Sequence, residues 1–185
     1  MTTLIILIIV TILIVAGIFI YNRLVRLRYT VQSSWSDIDV QLKKRYDLVP
    51  NLVEAVKGYA SHEKTVFEKV TQARGMAMQA NTPAETARAE TMLRDTLKSL
   101  FALAEAYPEL KANANFLQLQ AQLQDLENNI ENARRYYNAV ARDYNTLIKA
   151  FPSNLIAGSF HFQPAEFFQL ETPEAERKPV KVSFS

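Results

Sequence analysis

The sequence predicts an all-α fold: a single N-terminal transmembrane helix followed by an antiparallel up-and-down four-helix bundle with long helices. Three observations predict it. The chain opens on an uncharged, strongly apolar run. Two later stretches carry apolar residues at alternating spacings of three and four. Glycine is scarce, four in 185 residues, which leaves little material for tight turns.

The apolar run, residues 4–20, reads LIILIIVTILIVAGIFI, and Thr2, Thr3 and Tyr21 lengthen the uncharged stretch. About 20 helical residues at about 1.5 Å each cross a ~30 Å hydrocarbon core. The Ile and Val content would also fit a strand, but buried strands usually run only about 4–8 residues. A cleaved signal peptide expects a basic start and a small-residue cleavage site. Here no Lys or Arg precedes the run, and it ends on Phe19, Ile20 and Tyr21, so an uncleaved anchor is expected. Arg23, Arg26 and Arg28 follow directly. By the positive-inside rule they place the N-terminus outside and the body in the cytoplasm, at the cell (inner) membrane. They are also candidate contacts for anionic lipid headgroups. The span holds no ionisable residue for an ion relay, and Gly17 has no partner in a GxxxG seam.

The body begins with Val31, Trp35, Ile38, Leu42, Val49, Leu52, Val56, Tyr59, Val66 and Val70 in the 3/4 rhythm. Nothing between Ile20 and Val31 breaks a helix, so this segment is expected to continue from the span. Pro50 predicts a kink or short break near residues 48–51. Arg45 and Glu63 fall in apolar slots. Register drift at Pro50 is the favoured explanation, and pairing of the two across a helix interface is the alternative.

A break is expected at residues 78–82. Thr82-Pro83-Ala84-Glu85 then reads as a capping box with proline at the first helical position. Leu93, Leu97, Leu100, Phe101 and Ala104 give that helix its apolar face, and Pro108 ends it. The last helix is the clearest: Phe116, Leu119, Leu123, Leu126, Ile130, Ala133, Tyr137, Val140, Tyr144, Leu147 and Phe151 form a coiled-coil-like seam of about five heptads. Pro152 ends it. Such helices pair within one chain or reach a second subunit, and either arrangement buries their stripes. Residues 153–168 are dense in phenylalanine, and the polar stretch from Gln169, with Pro173 and Pro179, reads as a flexible tail. The domain reading is therefore anchor 1–22, bundle 23–168 and tail 169–185.

Chemistry is sparse. The absence of cysteine excludes disulfides, a thiol nucleophile and cysteine-ligated metals, and a net charge of +2 gives no field for nucleic acid. His62-Glu63 begins like a zinc-protease motif, but the residue four beyond His62 is Val66 rather than a second histidine. His62 is expected on a polar helix surface, and His161 belongs to another segment. Asp37 and Asp39 point to different sides of a helix, so surface pairing such as Asp39 with Lys43 is the better reading. No catalytic residue, metal ligand or cofactor site is expected. Lys43, Lys44 and Arg45 form a basic cluster, by default a solvated face and otherwise a candidate interaction surface for headgroups or an acidic partner. Phe160, Phe162, Phe167 and Phe168 are expected to close one end of the bundle, with an exposed patch for a partner as the alternative.

One stretch is distinctive as a whole. Residues 35–45, WSDIDVQLKKR, then Asp47-Leu48-Val49-Pro50-Asn51-Leu52-Val53, Val56-Lys57-Gly58-Tyr59-Ala60 and His62-Glu63, resemble the signature of the LemA family. Residues 105–112, EAYPELKA, and 133–138, ARRYYN, resemble its later motifs, and the short span with Tyr21-Asn22 fits as well. The resemblance covers roughly residues 5–168. It implies a bacterial membrane-anchored protein with an antiparallel four-helix bundle and no associated catalytic activity. It also implies kinship with proteins implicated in forming magnetosome membranes. Function does not follow from fold.

The expected function is a non-enzymatic, membrane-anchored helical scaffold that self-associates or recruits partners at the membrane. The alternatives are a membrane-remodelling or membrane-organising protein, or an accessory subunit of a membrane protease or sensor. The expected partners are the lipid bilayer, further copies of the chain and a membrane protein, with no nucleic acid and no cofactor.

Overall fold

A computed structural model describes residues 1–169. Among them the secondary structure is helical throughout: α1 (Thr2–Lys57), α2 (Lys64–Gln79), α3 (Pro83–Glu105), α4 (Pro108–Lys111), α5 (Ala114–Lys149) and α6 (Ser153–Ser159). The expected tail lies, from residue 170 on, outside the described residues. The helices divide into two compact units. The first holds Met1–Leu42 and Asp125–Phe167; the second holds Lys43–Gln124 together with Phe168. Both α1 and α5 therefore contribute to each.

In the first unit, α1 is exposed along the span and becomes one-sided beyond it. Leu24, Val31, Ser34, Ile38 and Leu42 are buried, and α5 buries Ile130, Tyr137, Val140, Ala141 and Tyr144. Trp35 and Tyr137 bring the two faces together with ring centroids 5.3 Å apart. Burying each such aliphatic or aromatic side chain stabilises by about 1.5–3 kcal/mol. Phe151, expected as the last heptad position, is instead exposed, because α5 ends at Lys149 and the chain turns there.

The turn from α5 into α6 is closed by Ser153, whose hydroxyl lies 2.6 Å from the Leu147 carbonyl and 2.9 Å from that of Ala150. α6 ends in a Schellman motif. The Phe162 N–H donates to the Ala157 carbonyl and the His161 N–H to that of Gly158, with His161 at φ 55° in the left-handed region that glycine usually fills. Ala157 and Phe162 are both buried, which supplies the apolar contact typical of this cap. The extended chain that follows is fastened along α5. The Asn145 amide donates to the Ala165 carbonyl and accepts from the Ala165 N–H, each at 2.8 Å, and the Tyr137 hydroxyl donates to the Glu166 carbonyl at 2.7 Å. Burial, with Glu166 adding to it, raises the pKa of Tyr137, so the phenol stays protonated as a donor.

The second unit packs Val49, Leu52 and Val56 of α1 with Val70 and Ala77 of α2, Leu93, Leu97 and Leu100 of α3, Leu110 of α4 and Phe116 and Leu123 of α5. Residues 80–82 join α2 to α3, and the expected cap is present. The Glu85 N–H donates to the Thr82 hydroxyl at 3.2 Å, and the Glu85 carboxylate accepts from the N–H groups of Asn81 and Thr82. Asn113 caps α5 by accepting from the N–H groups of Asn115 and Phe116.

Two expectations about the first body segment are corrected. The short break offered at Pro50 is absent, and the helix runs through it. Proline has no N–H, so the Tyr46 carbonyl four residues back loses its partner. Arg74 of α2 replaces it, its Nε–H donating to the Tyr46 carbonyl at 2.6 Å. The break falls at residues 58–63 instead, where the N–H groups of Tyr59 and Ala60 both turn back onto the Val56 carbonyl. His62 thus lies in a connection rather than on a helix surface.

Arg45 is the other correction. It is neither a register slip nor part of an exposed basic surface: it is 2% exposed and ion-paired with Glu90 of α3, itself 3% exposed. The Tyr46 hydroxyl donates to the same carboxylate at 2.6 Å. Glu63, the alternative partner, is exposed just before α2.

Candidate membrane-boundary site

The span is exposed along its length up to Ala16, with Leu4 and Leu13 each more than half accessible, as is Phe19 beyond, whereas Gly17 and Ile20 are half-exposed and Leu24 is fully buried. A helix apolar all round, left uncovered by protein up to about Gly17, matches a lipid-facing segment. The boundary therefore falls at residues 20–24. At about 1.5 Å rise per residue, Arg23 lies about 4.5 Å and Arg26 about 9 Å beyond Ile20 along the axis, the depth of a headgroup layer.

The three arginines differ. Arg23 and Arg26 line a groove of about 880 Å³ between α1 and α5, floored by Phe19 and Ile20 on the membrane side and flanked by Asn22, Asp143 and Thr146. Among the described residues neither guanidinium has an ion-pair or hydrogen-bond partner. Asp143 is drawn to Arg142, at 3.6 Å. Arg28 stands elsewhere, its guanidinium 5.4 Å from the Phe162 ring centroid and 6.0 Å from that of Tyr29. It also lowers the pKa of Tyr144, but burial outweighs it and the net shift is upward.

α6 and the chain after it lie against the end of the span. A Cβ placed on Gly17 would meet the Ile156 Cδ1 at 3.9 Å, an ordinary contact. Tyr21 packs on Phe160 and Phe162, with centroids 4.7 Å and 5.9 Å away. The four phenylalanines thus divide. Phe162 is buried in the first unit and Phe168 in the second, while Phe160 is 58% and Phe167 41% exposed. Lys43 and Lys44 are exposed in the second unit, without the buried Arg45.

The Arg45–Glu90 pair was missed by sequence reasoning, yet a signal exists. Thr86, Glu90, Leu93, Leu97, Leu100 and Ala104 continue one 3/4 stripe, so Glu90 occupies an apolar slot on α3 as Arg45 does on α1. Two opposite charges in two apolar stripes are each other's natural partners. Among the described residues no group of three His, Asp or Glu side chains is placed to hold a metal ion.

The model of the LemA family matches residues 34–184, most of the chain. The chain belongs to the LemA family. Protein LemA of Metamycoplasma hominis is 28% identical over 166 residues, covering 88% of this chain and 74% of that protein. Magnetosome protein MamQ 2 of Paramagnetospirillum magneticum is 25% identical over 175 residues, covering 80% of this chain and 64% of its own length. Magnetosome protein MamQ of Magnetospirillum gryphiswaldense is 24% identical over 174 residues with the same coverage. The chain spans just under two thirds of these MamQ proteins. Family membership and the one exposed apolar helix among the described residues together make this a membrane-anchored, membrane-associated helical protein.

Proposed function

We propose that this LemA-family protein is a non-enzymatic scaffold that self-associates and recruits partners at the membrane, its N-terminus outside and its body cytoplasmic. The observation that carries this reading is the continuity of α1, which passes from the span into the body as one helix without a linker. A body fixed this way has little freedom to reorient, which lowers the entropy lost on lateral assembly. Recruitment has its own support. Met76 and Met78 of α2 and Met92 of α3 are all exposed on one helical hairpin, and methionine is favoured on adaptable binding surfaces. Crosslinking in cells, paired with sizing in mild detergent, tests self-association. A ladder of multiples supports it, and a monomer under both conditions overturns it. Replacing Met76, Met78 and Met92 by Glu tests recruitment: crosslinks to other proteins are lost while helicity stays, and unchanged crosslinks refute the assignment.

A second reading, membrane organisation, is favoured by the similarity to proteins named for the magnetosome. Reconstitution at high density into liposomes discriminates. Deformed vesicles support it, and vesicles that keep their shape refute it.

A further inference from the structure

We infer that α6 and its flanking phenylalanines form a second membrane contact, a short interfacial wedge that dips into the bilayer beside the end of the span. The inference rests on reading residues 4–20 as that span.

Depth is the first ground. The tip of Ile156 lies 3.9 Å from a Cβ built on Gly17, and the Phe160 ring centroid lies 4.7 Å from that of Tyr21. Gly17 lies three residues inside Ile20, about 4.5 Å along the helix axis. The Ile156 tip shares the depth of Gly17 to within that contact and so lies below the hydrocarbon boundary. Interfacial helices settle about 5–10 Å into the headgroup–acyl region, the same range.

Composition is the second ground. Residues 150–165, AFPSNLIAGSFHFQPA, contain no Asp, Glu, Lys or Arg, and Lys149 and Glu166 bound them on either side. Such a stretch enters the interface without dragging a charge inward. Its outward surface carries three large apolar groups, Phe151 80%, Leu155 61% and Phe160 58% exposed, beside the polar Asn154, Ser159, His161 and Gln163, while Ala157 and Phe162 of the same segment are buried. Large apolar groups left outward beside a lipid-facing helix are continuous with that helix's own surface.

Backbone chemistry is the third ground. Non-helical chain at membrane depth requires satisfied polar groups. Ser153 covers the Leu147 and Ala150 carbonyls at the end of α5, and the Schellman closure covers the end of α6. Arg23 and Arg26, unpartnered among the described residues, stand just above, where lipid phosphates lie.

Because the chain has no cysteine, single labels are free of background. The full-length protein would be prepared as Leu155→Cys and Phe151→Cys, both at exposed positions, with Ile9→Cys in the span and Asn129→Cys on α5 as references. Each would carry a polarity-sensitive fluorophore in phosphatidylethanolamine–phosphatidylglycerol proteoliposomes. The labels at 151 and 155 are expected to emit to the blue of that at 129 and to resist iodide. They should be quenched more by lipids with a shallow nitroxide than by lipids with a deep one; the label at 9 shows the reverse. Labels at 151 and 155 that iodide reaches, or that no nitroxide lipid quenches, overturn the wedge while lipid quenching at 9 keeps the span. Iodide access at 9 removes the span and the wedge together.

Discussion

Pro50 and Arg74 should be energetically coupled through a group that belongs to neither, the Tyr46 carbonyl. In the native chain Arg74→Met removes the donor while keeping most of the apolar stem. The carbonyl, within a helix that cannot supply an N–H at position 50, is left without its partner. A hydrogen bond from a charged donor is worth about 1.5–3 kcal/mol, and Arg74 is half-buried, so a loss of about 2 kcal/mol is expected. Pro50→Ala restores the backbone N–H and the i→i−4 bond. In that background the carbonyl is already satisfied, so Arg74→Met should cost about 1 kcal/mol or less. The assay is a four-member double-mutant cycle, read by denaturant unfolding of the purified protein in detergent and followed by far-ultraviolet circular dichroism. A coupling of about 1 kcal/mol or more is the prediction. Additive costs would refute it, because the two residues would then not act on the same carbonyl.

Glu90→Ala should destabilise the second unit by about 3–5 kcal/mol by leaving Arg45 buried without its anion, whereas Arg45→Met combined with Glu90→Leu should recover most of the loss; thermal unfolding of both variants decides. Thr82→Ala should cost about 1 kcal/mol in the same measurement. The Asn81 and Thr82 amides hold the Glu85 carboxyl below its ordinary value of 4.5. Its contribution is thus complete above that pH and fades as pH falls through the lowered value, so the stability gap between wild type and Glu85→Gln should narrow on acidification; a pH-independent gap contradicts it. His161→Gly should raise stability by about 1 kcal/mol, since glycine takes the left-handed conformation without the steric cost, and a loss in the unfolding midpoint would show that the imidazole holds the cap together.

Periodicity made the long helices legible. Of the slots named for α5, Phe116, Leu123, Ile130, Tyr137, Val140 and Tyr144 are buried and Leu119, Leu126 and Ala133 half-buried, and the capping box at Thr82 needed only local chemistry. The errors arose where a distant group overruled a local rule. Pro50 breaks a helix unless another donor reaches the freed carbonyl, and that donor sits 28 residues away from Tyr46. Arg45 looked misplaced because its partner lies 45 residues on, in a stripe read only for its leucines. In the candidate site, the arginines and phenylalanines were visible as types. Their division was not: Arg28 against Phe162 and Arg23 in the groove follow from how α5 and the strap held by Asn145 meet α1.

The borrowed hydrogen bond at Pro50 also bears on the order in which the protein is made. A chain emerging from the ribosome presents the span first, and the helix behind it grows by its own N–H groups. At residue 50 that supply fails. The donor that completes the turn is not synthesised until position 74 and is not in place until α2 has folded back. The distal turns of α1 thus complete their hydrogen bonding only once α2 lies against them, and α2 acts as the stitch that sets them.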